Sequence, residues 1–213
     1  FLSIWIKSMR GLFITFEGID GCGKSTQIDF LTERFTKMKK PVVKTEEPGG
    51  TAGSNEIRKI LLRENNFQWS VETEALLFMA ARNDHVEKVI KPSINNNKIV
   101  ICDRFMDSTL VYQGMRSSQA KQLSLTLFEL IAINPDITFL IDMEPEIALK
   151  RALSRSTEED RFENYGISFQ HELRKNFLDI AHKYSERIRI IDGNQSPEDV
   201  AAQINESIET LAI

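Results

Sequence analysis

The sequence predicts an α/β protein, a five-stranded parallel sheet flanked by helices in three layers. Two observations predict it. Short β-branched runs alternate with longer stretches whose apolar residues recur at helical spacing, the pattern of repeated strand–helix units. The 213 residues, 41% hydrophobic and 27% charged, suffice for one domain with a substantial core, and no repeat, low-complexity tract or linker divides them.

Residues 1–8, Phe1 to Ser8, read as an N-terminal extension, mostly apolar around one lysine. It is too short to span a bilayer and lacks a signal peptide's layout; Met9 reads as a natural start, and 9–213 as the single domain. Leu12 to Phe16 forms the first strand and ends in a glycine-rich turn. From Lys24 onward Ile28, Leu31, Phe35 and Met38 keep helical spacing. Pro41 opens a second short strand, Val42 and Val43, which runs into a loop at Pro48, Gly49 and Gly50. Helical patterns cover Gly53 to Arg63 and Ser70 to Lys91, with Pro92 as the stop signal. Ile99 to Cys102 is the third strand, ending on Asp103, and helices follow at Ser108 to Gln113 and Ser118 to Ile133. Asn134 and Pro135 break the chain before a fourth strand, Ile137 to Ile141, and Pro145 opens the next helix, where its missing N–H does no harm. The charged stretch from Arg151 to Glu163 has few large apolar residues and reads as an exposed, mobile segment. A long helix to about Arg187, a fifth strand (Ile188, Ile190, Ile191) and a closing helix complete the pattern.

The formal charge of -4 speaks against a general nucleic-acid binder, and no apolar run suits a membrane span. Two cysteines, Cys22 and Cys102, exclude a disulfide framework and fit a reducing cytoplasm. His85, His171 and His182 show no zinc-ligand spacing and read as structural.

The chemistry concentrates in the first strand–helix turn. Gly18, Gly23, Lys24 and Ser25 satisfy GxxxxGK[ST] between a buried strand and an amphipathic helix. In such a turn the backbone N–H groups of Gly18, Ile19, Asp20, Gly21, Cys22, Gly23, Lys24, Ser25 and Thr26 can wrap the phosphates of ATP. Lys24 brings a charge to the β and γ phosphates, and Ser25 a hydroxyl ligand for Mg²⁺. The bland alternative is a glycine-rich turn without a ligand. Guanine-specific proteins usually carry an Asn-Lys-x-Asp stretch after a late strand, and none occurs.

Phe16 to Gln27, the run Glu47, Pro48, Gly49, Gly50, Thr51, and Asp103 and Arg104 followed by Ser108, Thr109, Tyr112, Gln113 and Gly114 resemble three ordered signatures of the bacterial thymidylate kinases. The resemblance runs from Met9 to the C-terminus. It implies a P-loop kinase fold with a short mobile lid over about 151–166, ATP and Mg²⁺, dTMP as acceptor and a homodimer. The chain departs from the family by carrying Glu46 where an arginine usually precedes Glu-Pro-Gly-Gly, so no phosphate contact is assigned there.

The residues support this on their own physics. Asp103 ends a fully apolar strand, where open α/β sheets place ligands; its carboxylate can hold Mg²⁺ while Arg104 forks onto a phosphate. The alternative is an ion pair between the two neighbours. At about 100° per residue, Arg82 falls inside the apolar face formed by Ala75, Phe78, Met79, Val86 and Val89. A guanidinium there must find partners. Its donors suit O4 of thymine or uracil and oppose the amino group of cytosine, while Phe78 can stack on the ring. The alternative is an arginine paired with a core carboxylate, with Phe78 merely packing. By the resemblance, Arg58 clamps the acceptor phosphate, Thr109 and Gln113 complete base recognition, Tyr112 lies beneath the sugar, and Asp20 contacts the 3′-hydroxyl. Asp192 to Gln195 follow the last strand, where similar kinases seat adenine. Arg151, Arg155 and Arg161 punctuate the lid segment, and Arg155 and Arg161 are the pair expected to join Lys24 and Arg104 in stabilising the transferred group; the alternative is a solvated charged helix. A nucleotide switch without an acceptor, or a kinase for another acceptor, are the rival readings.

Overall fold

The computed structural model describes residues 10–62, 69–154 and 165–210. Its five strands are β1 (Phe13–Glu17), β2 (Val42–Glu46), β3 (Ile99–Asp103), β4 (Ile137–Asp142) and β5 (Ile188–Asp192). They form one parallel sheet in the order β2-β3-β1-β4-β5. The helices are α1 (Lys24–Lys37), α2 (Ala52–Leu62), α3 (Val71–His85), α4 (Lys91–Asn95), α5 (Met106–Tyr112), α6 (Ser118–Ile131), α7 (Pro145–Leu153), α8 (Ile167–Lys183) and α9 (Pro197–Glu209).

The central strand explains the layering. Every residue of β1 is buried. Ile14 and Phe16 face one cluster with Ile28 and Phe35 of α1, Phe177 of α8 and Ile204 of α9. Phe13 faces the other with Met79 of α3, Ile94 of α4 and Phe105. The period-two alternation thus feeds two hydrophobic layers, as a parallel sheet covered on both sides requires. The buried hydroxyls of Thr15 and Thr138 satisfy each other at 2.7 Å, and Arg187 donates to Thr138.

Helix starts follow side-chain caps. Ser70, Ser117 and Ser196 accept from the backbone N–H groups of Thr73, Ala120 and Asp199. One expectation fails. Pro92 does not end the helix after Ser70; the axis runs on through one π turn, Val86–Ile90, into α4. Lys91 N–H reaches back to Val86, a five-residue step that widens the turn just before the proline ring, relieving the clash that stops an ordinary α-helix. Arg151 belongs to the last turn of α7, while residues 155–164 of the expected lid, with Arg155 and Arg161, lie outside the described residues, as does the expected extension.

Phe139 is fully buried in β4 and its ring lies 5.4 Å from that of Phe16. Replacing Phe139 with alanine should cost about 3–5 kcal/mol, read as a lowered urea midpoint by circular dichroism. An unchanged midpoint would contradict this account of the core.

Candidate active site

The C-terminal ends of β1 and β3 lie side by side at the sheet's centre, where the chain order diverges, and a cleft of about 340 Å³ opens there. The loop after β1 supplies one wall. Gly18, Gly21 and Gly23 have φ values of 136°, 81° and 101°, a region that favours glycine. A Cβ at Gly21 would lie 2.0 Å from Ala148 O, so this loop packs directly on α7. Ile19 and Cys22 are buried under the loop, and burial pushes the Cys22 thiol up. Lys24 is buried with its Nζ donating to the Gly18 and Ile19 carbonyls at 3.1 Å. Ser25 lines the cleft at the start of α1; Thr26 is exposed.

Arg104 joins this wall to the next. It occupies the left-handed region at φ 64°, a conformation costing about 1–2 kcal/mol for a residue with a Cβ. Its backbone N–H bonds to Phe16 O, and its guanidinium donates to Gly18 O, Ser108 Oγ and Asp20 Oδ1 at 3.0, 3.0 and 2.6 Å. Asp20 also accepts from the Tyr112 hydroxyl at 3.0 Å. Burial would raise the Asp20 pKa, but Arg104, then Lys24 and the hydrogen bonds, outweigh it and hold the group at about 2. The alternative reading, an ion pair between the neighbours Asp103 and Arg104, is not what the structure shows: Arg104 pairs with Asp20 instead. Asp103 lines the cleft, and its Oδ1 is buried with no hydrogen-bond partner.

Glu17, which sequence periodicity did not single out, anchors the arrangement. Its carboxylate accepts from Phe105 N–H at 2.8 Å, Ser108 N–H at 3.3 Å and Ser108 Oγ at 2.5 Å, so it ties the end of β1 to the start of α5. Burial first, then the Asp107 carboxylate, push its pKa from 4.5 to about 7. Arg187 forks onto Asp107 at 2.7 and 2.8 Å, compensating that second acid. From α5 the buried side chains Thr109, Tyr112 and Gln113 line the cleft.

Phe78 and Arg82 of α3 also line the cleft. Of the two partners the sequence left open for Arg82, the structure supplies the core carboxylate: Nε donates to Glu47 Oε2 at 2.6 Å. Nη2 donates to Phe105 O at 3.0 Å, and Nη1 approaches the weakly accepting sulfurs of Met79 and Met106. The cleft nevertheless remains beside it, and five N–H groups outnumber these partners. Glu47 is held in turn by His85 Nδ1 at 3.0 Å, and His85 Nε2 lies 2.7 Å from Thr45 Oγ1. Glu47 and His85 had no periodic signal; their pairing with Arg82 spans the loop after β2. Arg58 of α2 lines the cleft, with Nη1 on Pro48 O at 2.8 Å and on Glu46 at 3.1 Å, so Glu46 pairs with a cation of the cleft wall. Asn194, expected near adenine, accepts from Glu144 N–H at 3.1 Å.

A glycine-rich loop of this kind can cradle an anion, and it shares its cleft with a second set of cations and an aromatic side chain, an arrangement suited to a phosphorylated donor and a phosphorylated acceptor. A family model for thymidylate kinase matches residues 16–204. The thymidylate kinase of Ruegeria pomeroyi is 49% identical over 204 residues, covering 95% of this chain and 97% of that protein. That of Dinoroseobacter shibae is 47% identical, covering 91% and 94%. The crystal structure of thymidylate kinase from Ehrlichia chaffeensis superposes with a TM-score of 0.74 at 35% identity, covering 93% of this chain and 98% of that one. The chain belongs to the thymidylate kinase family.

Because the folded Glu17 holds its proton more tightly than the unfolded chain, its ionisation penalty is full above about 7 and vanishes below 4.5. This group therefore adds stability as pH falls through that window. Glu17→Gln lacks the contribution, so its urea stability relative to the parent should decline as the buffer goes from about pH 8 to about pH 5. Parallel curves for the two proteins would refute the raised value.

Proposed function

We propose that the protein transfers the γ phosphate of ATP to dTMP, giving ADP and dTDP. The observation that carries this reading is one cleft lined together by Lys24 and Ser25, Arg58 and Arg104, and Phe78, Arg82 and Gln113. In it the loop amides and Lys24 hold the donor phosphates, and Arg104 and Arg58 orient the acceptor phosphate. An oxygen of that phosphate attacks the γ phosphorus as the bond to the ADP oxygen breaks. The acceptor is already an anion, so no general base is required. Asp20, held low by its cations, can accept from the sugar 3′-hydroxyl beside Tyr112. Phe78 offers a face to the pyrimidine and Arg82 a donor to O4. Arg155 and Arg161 are assigned to the transferred group as lid residues.

The site fits a hard divalent cation. Asp103 Oδ1 is a buried oxygen without a partner, and the Ser25 hydroxyl lies at the start of α1. Mg²⁺ held by these two would neutralise phosphate charge. A homodimer is supported by exposed Leu76 and Leu130 on α3 and α6, which pack against each other. A cytoplasmic site is supported by the two free thiols, Cys22 and Cys102.

The test is a steady-state acceptor panel with ATP and Mg²⁺. The expected result is a kcat/KM for dTMP about a hundredfold or more above those for dCMP and dAMP, since both base-facing groups must then be matched. Preference for dCMP, or ATP hydrolysis indifferent to every monophosphate, would overturn the reading. Chelation with excess EDTA should abolish turnover and added Mg²⁺ restore it; turnover that persists in EDTA would remove the assignment of Asp103 and Ser25.

A further inference from the structure

Two buried carboxylates stand behind the base end of the cleft, and they hold different kinds of group. Glu47 holds a donor, Arg82. Glu74, on α3, is fully buried; Arg116 Nη1 donates to its Oε2 at 2.6 Å and Gln113 Nε2 to the same oxygen at 3.4 Å. It lies four residues into the helix, counting from Ser70 at the cap, where the positive end of α3 favours an anion. A carboxylate only accepts, so only the NH₂ side of the Gln113 amide can face it. That leaves the carbonyl oxygen for the cleft that Gln113 lines.

We propose that Glu74 is a specificity-positioning residue: by capturing the amide nitrogen of Gln113 it fixes the carbonyl oxygen toward the pyrimidine, placing an acceptor beside the Arg82 donor. Thymine and uracil present N3–H next to O4 and match both groups. Cytosine presents a bare N3 next to an amino group and opposes both. Glu74 itself touches neither base nor phosphate; it acts by removing the flipped amide, in which NH₂ would face the ring and accept cytosine. A glutamine flip exchanges one donor for one acceptor at no steric cost, so without a fixed partner the side chain would serve either base. The inference rests on the reading of the cleft as a thymidine nucleotide site.

The experiment compares kcat and KM of the parent and Glu74→Gln with dTMP, dUMP and dCMP. Glutamine at 74 can either donate or accept and so no longer dictates the Gln113 orientation. The expected result is a kcat/KM ratio of dTMP over dCMP lowered about tenfold or more, with dUMP following dTMP, the change lying in the acceptor KM, and the KM for ATP within about twofold. An equal fall for all three acceptors would show a packing role only, and an unchanged ratio would show none; either overturns the proposal. Should Glu74→Gln fail to fold, Glu74→Asp keeps a charge for Arg116 while withdrawing the oxygen from Gln113, and carries the same expected and contrary results. Failure of the functional reading is seen separately, in a parent enzyme that shows no preference for dTMP over dCMP.

Discussion

Arg82 and Glu47, only 2% and 3% exposed at their side chains, form the buried ion pair on which the cleft wall between α3 and the loop after β2 depends. A guanidinium within an apolar helix face is costly unless its charge and its donors are met, and breaking such a pair by removing one partner typically costs about 3–5 kcal/mol. Glu47 meets the charge, Phe105 O takes a further hydrogen, and His85 completes the carboxylate. The loop carrying Glu47 must therefore lie close against α3. Gly50 permits this: at φ 83°, a Cβ there would come within 2.4 Å of the His85 ring. The pair fixes the position of Arg82, which lines the cleft.

The wall formed by β1, its loop and α5 is held together through acids rather than through apolar packing alone. Glu17 gathers the first backbone and side-chain donors of α5, and Asp20 gathers Arg104 and Tyr112. The two carboxylates titrate in opposite directions because their surroundings differ. At Asp20 burial is outweighed by the cations and hydrogen bonds together, whereas at Glu17 burial and a second acid prevail. The strained backbone of Arg104 is held by what surrounds it: one N–H bond to β1 and guanidinium bonds to the loop, α5 and Asp20. Movement of α5 relative to β1 would have to break several of these together, which keeps the two elements in a fixed relation.

Much of this was legible because it is local. Strand and helix periods, and a cradle motif that needs both its strand and its helix, depend on residues adjacent in the chain. Arg82 was legible as an anomaly, a charge in an apolar stripe, and the core carboxylate it pairs with was one of the two partners posed for it. Which partner it has was not legible, because Glu47 lies 35 residues away and reaches it across a loop. The same holds for Glu74 with Gln113, separated by 39 residues, and for Glu17 with Ser108, separated by 91. Charge pairs of this kind leave no period in the chain. Pro92 misled because a π turn absorbs its ring, a local remedy with no residue signature of its own.

The most direct test of the account is a crystal structure with dTMP bound. It should show an Arg82 nitrogen at hydrogen-bond distance, about 2.7–3.2 Å, from O4 of the base, with the Arg82–Glu47 pair intact and the ring on Phe78. A base seated elsewhere, with Arg82 still engaged only by Glu47 and Phe105, would contradict it.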